Sequence, residues 1–210
     1  MAWGAGTNMT IRKKAVWGSG ALIVGAILIV LASTGCGEMT RQGDASSYLV
    51  MNLLEAAPGA TPDDFGGTLL SDVITVVDDV PGVYNDIGAV TLSLAMKDPL
   101  IAPSSTNAIT INRYRVRYIR SDGRNTPGVD VPYGFDGAMT MTVSGGGVTG
   151  TFEIVRHVEK LEAPLAALTI NGVIISTLAE LTFYGHDQTG REVSVTARML
   201  IDFGNFADPE

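Results

Sequence analysis

The chain has 210 residues, with 14 Lys or Arg against 22 Asp or Glu, and all of the acidic residues follow Cys36. Three basic residues precede Cys36, so residues 37–210 carry 11 basic and 22 acidic side chains, a formal charge of −11. Such a surface repels phosphate backbones, which argues against a nucleic-acid partner. Cys36 is the only cysteine and excludes an internal disulfide, but a segment of this length buries a core without one.

An uncharged, largely aliphatic run covers residues 15–35 and follows directly on Arg12, Lys13 and Lys14. At about 1.5 Å per residue, a helix of this length spans roughly 30 Å of hydrocarbon. Basic residues before the run keep the N-terminus in the cytoplasm and direct the remainder across the membrane. We therefore interpret residues 1–35 as a lipoprotein signal peptide or membrane anchor.

Small residues end this run, as Ala32-Ser33-Thr34-Gly35, and Cys36 comes next. A basic region, an apolar region and a small-residue exit are the parts of a secretory signal. The segment resembles a bacterial lipoprotein precursor, with Ser33 where that family prefers Leu. The resemblance implies that Cys36 receives a lipid and becomes the new N-terminus. An uncleaved anchor and an ordinary cleaved signal that gives a freely secreted protein are the alternatives, and all three place the remainder outside the cytoplasm. We predict a membrane-anchored protein of the cell envelope, with its domain facing the periplasm or the exterior.

Residues 36–47 are small and polar and predict a flexible tether, after which residues 48–210 form the folded domain. Apolar or alternating segments at residues 48–55, 69–77 and 90–96 predict the first strands, separated by loops rich in Gly, Pro and Asp.

The next strand, residues 109–120, changes its apolar phase near Asn112. A β-bulge there returns the later apolar residues to the buried face. The bulge places Arg113, Arg115 and Arg117 together on the opposite face.

Two interpretations of this arginine row remain open. The three arginines pair with carboxylates on neighbouring strands, such as Glu153 or Glu192, or they form a docking surface for an acidic partner protein or an anionic glycan. Tyr133 and Phe135, in the following loop, either flank such a surface or close the end of the core.

Further alternation predicts a hairpin from residues 139–143 and 151–158, then a crossing segment or short helix at residues 161–168. Residues 173–184 and 191–203 form a closing hairpin around Asp187-x-x-Gly190, which resembles the last two strands of bacterial immunoglobulin-like or fibronectin-type domains. The total of about eight or nine strands predicts an all-β, antiparallel sandwich, which the resemblance makes immunoglobulin-like.

No phosphate-binding loop, nucleophile elbow or paired-cysteine motif is present, so we predict no catalytic residues and no cofactor. Asp78, Asp79 and Asp86 are weak calcium candidates, since they lie close in sequence but lack the spacing of a calcium loop. His157 and His186 have no evident nucleophile partner. The leading hypothesis is a lipid-anchored, non-catalytic accessory, binding or assembly component of the envelope. The alternatives are an exported glycan hydrolase with a carboxylate pair, or a module that binds calcium or a small ligand.

Overall fold

The computed structural model describes residues 44–206, so the signal, Cys36 and most of the tether lie outside the described residues. Within residues 44–206, no helix has both the length and the apolar character to cross a bilayer. Ala45 and Ser47 are already buried, although residues up to 47 were predicted to be tether.

The described part of the chain is mostly β, which agrees with the all-β part of the predicted fold class. Its strands, in chain order, are β1 (Ser47–Ala57), β2 (Thr68–Asp72), β3 (Thr75–Val77), β4 (Val80–Gly82), β5 (Asp86–Met96), β6 (Ile109–Ile119), β7 (Phe135–Val143), β8 (Val148–Val155), β9 (Ile175–Asp187) and β10 (Glu192–Gly204). One α-helical turn, α1 (His157–Lys160), follows β8, and 3₁₀ turns cover Ser105–Asn107 and Leu165–Thr169.

The predicted strand at residues 69–77 is two strands, because the chain bends after Asp72. The carboxylate of Asp72 accepts hydrogen bonds from Ile74 N at 3.3 Å and from Thr75 Oγ1 at 3.4 Å. Such local bonds favour a turn over a continuous strand. β2 and β3 consequently enter different sheets.

Three sheets are present in residues 44–206, with the strand orders β1-β5-β8, β2-β10-β9-β6-β7 and β3-β4. The prediction of purely antiparallel pairing is wrong at β2, which runs parallel to β10 with Ile201 opposite Leu69. The closing hairpin is confirmed, since β9 and β10 pair antiparallel along their length.

The predicted hairpin at residues 139–158 is wrong. β7 pairs with β6 in the five-stranded sheet, whereas β8 pairs with β5 in the three-stranded sheet. Gly145, at φ +150°, lies in the segment that carries the chain from one sheet to the other. Val158, assigned to the second strand, is instead an exposed residue of α1.

The two larger sheets share one core. Phe152 of β8 contacts Tyr114 of β6 and Phe183 of β9, with ring centroids 5.0 and 5.2 Å apart. Side chains of this size each contribute roughly 1.5–3 kcal/mol when fully buried. The aromatic cluster therefore stabilises the packing of one sheet against the other.

A buried ion pair joins α1 to this core. Lys160 Nζ lies 2.8 Å from Asp86 Oδ1, and the two side chains are 2% and 1% exposed. Ser71 Oγ donates to Asp86 Oδ2 at 2.6 Å, and Gly59 N donates to Oδ1 at 3.0 Å. Burial raises the pKa of Asp86, and the charge of Lys160 opposes that rise. One carboxylate thus holds together α1, β2, β5 and the loop after β1.

Candidate functional site

The β-bulge in β6 is confirmed. The pairing of β6 with both neighbouring strands shifts register between Ile111 and Arg113. Tyr114, Val116 and Tyr118 consequently point into the core, at 4%, 0% and 5% exposure. The three alternate arginines project from the outer side of the five-stranded sheet. We use the name arginine face for one part of this outer side, defined as Arg113, Arg115, Arg117, Asp136, Glu180 and Arg198; Glu192 and Asp202 lie on the same side of β10, six and four residues from Arg198.

Asp136 pairs with two arginines at one end of the arginine face. Arg115 Nε and Nη2 donate to its two carboxylate oxygens at 2.9 and 3.0 Å, and Arg113 Nη1 lies 3.9 Å away. The hydrogen bond from Arg115 lowers the pKa of Asp136. Arg113 also stacks over the ring of Tyr184, 4.3 Å from its centroid. Asp136 is therefore ionised at neutral pH and Arg115 is held in one orientation.

Glu180 lies at the other end of the arginine face and pairs with two arginines at different distances. Arg198 donates to its Oε2 through Nε at 3.0 Å and through Nη2 at 2.6 Å. Arg117 reaches Oε1 through Nη1 at only 3.4 Å, and its side chain is 63% exposed. Arg117 is consequently held more loosely than Arg198.

Cross-strand pairing of the arginines is present, but the prediction of Glu153 as a partner is wrong. The carboxylates are Asp136 and Glu180, because the strands beside β6 are β7 and β9. Glu153 lies on β8, in the other sheet, where it accepts a hydrogen bond from Asn85. Exposed pairs of this kind are worth roughly 0–1 kcal/mol. Four arginines against two carboxylates leave a surplus of two positive charges on the arginine face.

A cavity of about 460 Å³ opens beside the arginine face. Its polar lining comprises Arg115, Arg117, Asn125 and Asp136, and Pro127, Pro132 and Phe135 are among its apolar residues. Asp136 is the one carboxylate among the lining residues, and two arginines hold it ionised. Glycoside hydrolysis requires two carboxyl groups, so the hydrolase alternative gains no support from this cavity.

The loop that walls the cavity is folded on itself. The carbonyl of Thr126 accepts from Asp130 N at 2.8 Å, and Gly128 N donates to Val131 O at 2.8 Å. Gly128 has φ +75°, and a Cβ there would lie 2.3 Å from the hydroxyl of Tyr133. The glycine is therefore required by both the turn and the tyrosine packed on it. Hydrogen bonds within the loop itself therefore hold the wall of the cavity in place.

The two aromatic residues predicted near the arginine row have different environments. Tyr133 is 52% exposed on the loop. Phe135 is 9% exposed, contacts Tyr114 edge-on at 6.1 Å and lies beneath the guanidinium of Arg156 at 4.0 Å. Phe135 thus fits the alternative that it closes the end of the core.

The structure does not bring the calcium candidates together. Asp78 and Asp79 form the two-residue turn between β3 and β4, at φ +52° and +63°, where Asp is favoured. The oxygens of Asp86 are engaged by Lys160 and Ser71. Within the described part of the chain, no group of three or more His, Cys, Asp or Glu side chains is placed to hold a metal ion.

Sequence reasoning missed Arg198, Asn125 and Asp136. The alternation of β10 placed Arg198 on an outward face, but only the order β10-β9-β6 brings it beside Arg117.

Comparison of the chain with protein-family models, curated proteins and solved structures gives no match.

Proposed function

We propose that this protein is a lipid-anchored, non-catalytic β-domain on the extracytoplasmic side of a membrane, acting by contact as an accessory or assembly component of the cell envelope. In this proposal Cys36 carries the lipid, the residues that follow it form the tether, and the arginine face contacts an acidic partner protein. The proposed partner is a protein carrying Asp and Glu at its contact surface.

The surplus of arginine on one face carries the proposal. Residues 37–210 have a formal charge of −11, yet four arginines meet only two carboxylates there. Complementary charge speeds association and selects partners, and Arg is enriched in binding hot spots. An acidic partner would be repelled by the rest of the surface and attracted by this face.

The place where the described chain starts also supports the proposal. Ser46 and Ser47, at the start of the described chain, hydrogen-bond to Asn107, directly before β6. Arg117 lies eight residues along β6 from Ile109, a distance of roughly 26 Å at the rise of a strand. The described chain therefore starts near one end of β6, and the loosely held arginine lies toward the other end.

We also propose that the fold is an immunoglobulin-like sandwich. Two sheets that share one core and the closing hairpin support this assignment. In its turn, Asp187 Oδ1 accepts from Thr189 N at 2.8 Å and Arg191 N at 2.9 Å, and Gly190 has φ +83°.

Photo-crosslinking from two matched threonines tests the contact surface. Thr196 lies on β10, in register with Thr182 and Arg115, and its hydroxyl hydrogen-bonds to that of Thr182 at 2.8 Å. Thr149 is the matched control: it lies on β8, in the other sheet, and its hydroxyl hydrogen-bonds to that of Thr91 at the same distance of 2.8 Å. A photoreactive residue at position 196 should capture a discrete acidic protein in intact cells, and one at position 149 should not. Equal capture from both positions, or capture from 149 alone, would contradict the proposal.

A further inference from the structure

We propose that the cavity beside Arg117 binds the carboxylate of an acidic peptide segment, with Arg117 and Asn125 as hydrogen-bond donors. The inference rests on the proposed function, because the acidic segment is the part of the partner protein that the arginine face would recognise.

Arg117 has the donor capacity for such a ligand. Its one bond to Glu180 is long, at 3.4 Å, because Arg198 takes the other oxygen of that carboxylate at 2.6 and 3.0 Å. A guanidinium presents five N–H donors in a fork that matches a carboxylate. Arg117 can therefore bind a carboxylate without breaking a strong existing bond.

Asn125 supplies a second, oriented donor. Its Oδ1 accepts from the backbone N of Arg120 at 2.7 Å, which fixes the orientation of the amide. Within residues 44–206 no hydrogen bond engages its Nδ2 group, which lies on a residue lining the cavity. An acceptor entering the cavity is therefore offered donors from the loop as well as from β6.

The charge of the cavity favours a single carboxylate over a phosphate. Arg115, Arg117 and Asp136 all line it and together carry one positive charge. One carboxylate neutralises that charge, whereas a phosphate dianion leaves an excess of negative charge close to Asp136. The bidentate pair between Arg115 and Asp136 remains intact in either case.

The lining favours a peptide over a sugar. The two aromatic lining residues, Tyr118 and Phe135, are 5% and 9% exposed, and Arg156 covers the ring of Phe135 at 4.0 Å. Neither presents an open ring face on which a sugar can stack. Pro127, which is exposed, instead provides apolar contact for the residue beside the bound Asp or Glu. The volume of about 460 Å³ suits a short segment of chain.

The experiment uses the full-length protein in a non-ionic detergent and two labelled peptides, acetyl-Ala-Glu-Pro-Ala-amide and its Gln counterpart. Fluorescence anisotropy measures the affinity, and the side-chain amide NMR signal of Asn125 reports the location. We expect the Glu peptide to bind at least about tenfold more tightly than the Gln peptide, as for one charged hydrogen bond. Only the Glu peptide should shift the Asn125 signal.

Three variants locate the interaction. Arg117→Gln should weaken binding of the Glu peptide about tenfold. Arg124→Gln removes the same charge from a side chain that is equally exposed, at 64%, and does not line the cavity, so it should change the affinity less than about twofold. Glu180→Gln removes the carboxylate that competes for Arg117 and should tighten binding up to about fivefold. A gain of affinity cannot arise from misfolding.

Equal binding of the two peptides, equal losses in Arg117→Gln and Arg124→Gln, or no binding of either peptide would overturn the inference. Binding of oligogalacturonate in place of the Glu peptide would overturn the assignment to a peptide. If crosslinking from position 196 persists while the peptide results fail, only the cavity assignment is wrong. If crosslinking also fails, the proposed function is wrong.

Discussion

Replacement of Lys160 by Met leaves a carboxylate buried without a cation. Asp86 is 1% exposed and retains Ser71 and Gly59 as neutral donors, but loses the ammonium group at 2.8 Å. Breaking a buried ion pair by removing one partner costs about 3–5 kcal/mol. Because two donors remain, we expect about 3 kcal/mol at neutral pH, a large part of the 5–15 kcal/mol that stabilises a typical domain.

The pH dependence of this loss has a definite sign. Burial already raises the pKa of Asp86, and Lys160 opposes the rise, so the pKa is higher still in Lys160→Met. Between the folded-state pKa of Asp86 in wild type and its higher value in the variant, the native variant binds one more proton than native wild type. Its stability relative to wild type therefore falls as pH rises through that window. The loss should be small near pH 4 and largest near pH 7.

Urea unfolding of the full-length protein in detergent, followed by far-UV circular dichroism, measures these free energies. Lys97→Met, a change on an exposed lysine, serves as the control and should cost no more than about 1 kcal/mol, the upper range for an exposed interaction. The double variant Asp86→Asn/Lys160→Met removes both charges and should recover most of the loss. A double variant no more stable than Lys160→Met, or a loss that does not depend on pH, would refute the reasoning.

Two further predictions concern local packing and the closing turn. Gly137→Ala places a Cβ 2.2 Å from the ring of Tyr114 and should destabilise the fold by about 1–3 kcal/mol. Gly146→Ala is the control, because a Cβ there meets nothing within 4 Å and should change stability little. Equal effects of the two substitutions in urea unfolding would contradict this prediction. Although burial opposes it, hydrogen bonds from Thr189 and Arg191 lower the pKa of Asp187. Asp187→Asn should therefore cost about 1–2 kcal/mol at pH 7, and the difference from wild type should vanish as pH falls through that lowered pKa; a constant difference would contradict it.

Local sequence patterns predicted the features that depend on one strand or one turn. Alternation along β6 located the bulge near Asn112, because a change of apolar phase identifies the extra residue directly. The closing hairpin was predicted for the same reason, since β9 and β10 alternate and the Asp187 turn joins them.

Features that depend on which strands become neighbours were not predictable in this way. Residues 139–158 alternate as a hairpin does, but no local signal shows that β7 and β8 enter different sheets. The prediction that Glu153 pairs with the arginines was wrong for the same reason, because Asp136 and Glu180 are identified as partners only by the order β9-β6-β7. Lys160 gave no sign of pairing with Asp86, which lies 74 residues away in sequence.

Native mass spectrometry of the protein extracted gently from membranes, combined with the intact mass of its own chain, tests the central claim most directly. We predict a chain that begins at a lipid-modified Cys36, in complex with an acidic protein that dissociates when Arg113 and Arg117 are replaced by Glu. An unmodified chain that retains residues 15–35 would contradict the lipid anchor. A protein that is always alone, or a complex that is unaffected by both substitutions, would contradict a function through the arginine face.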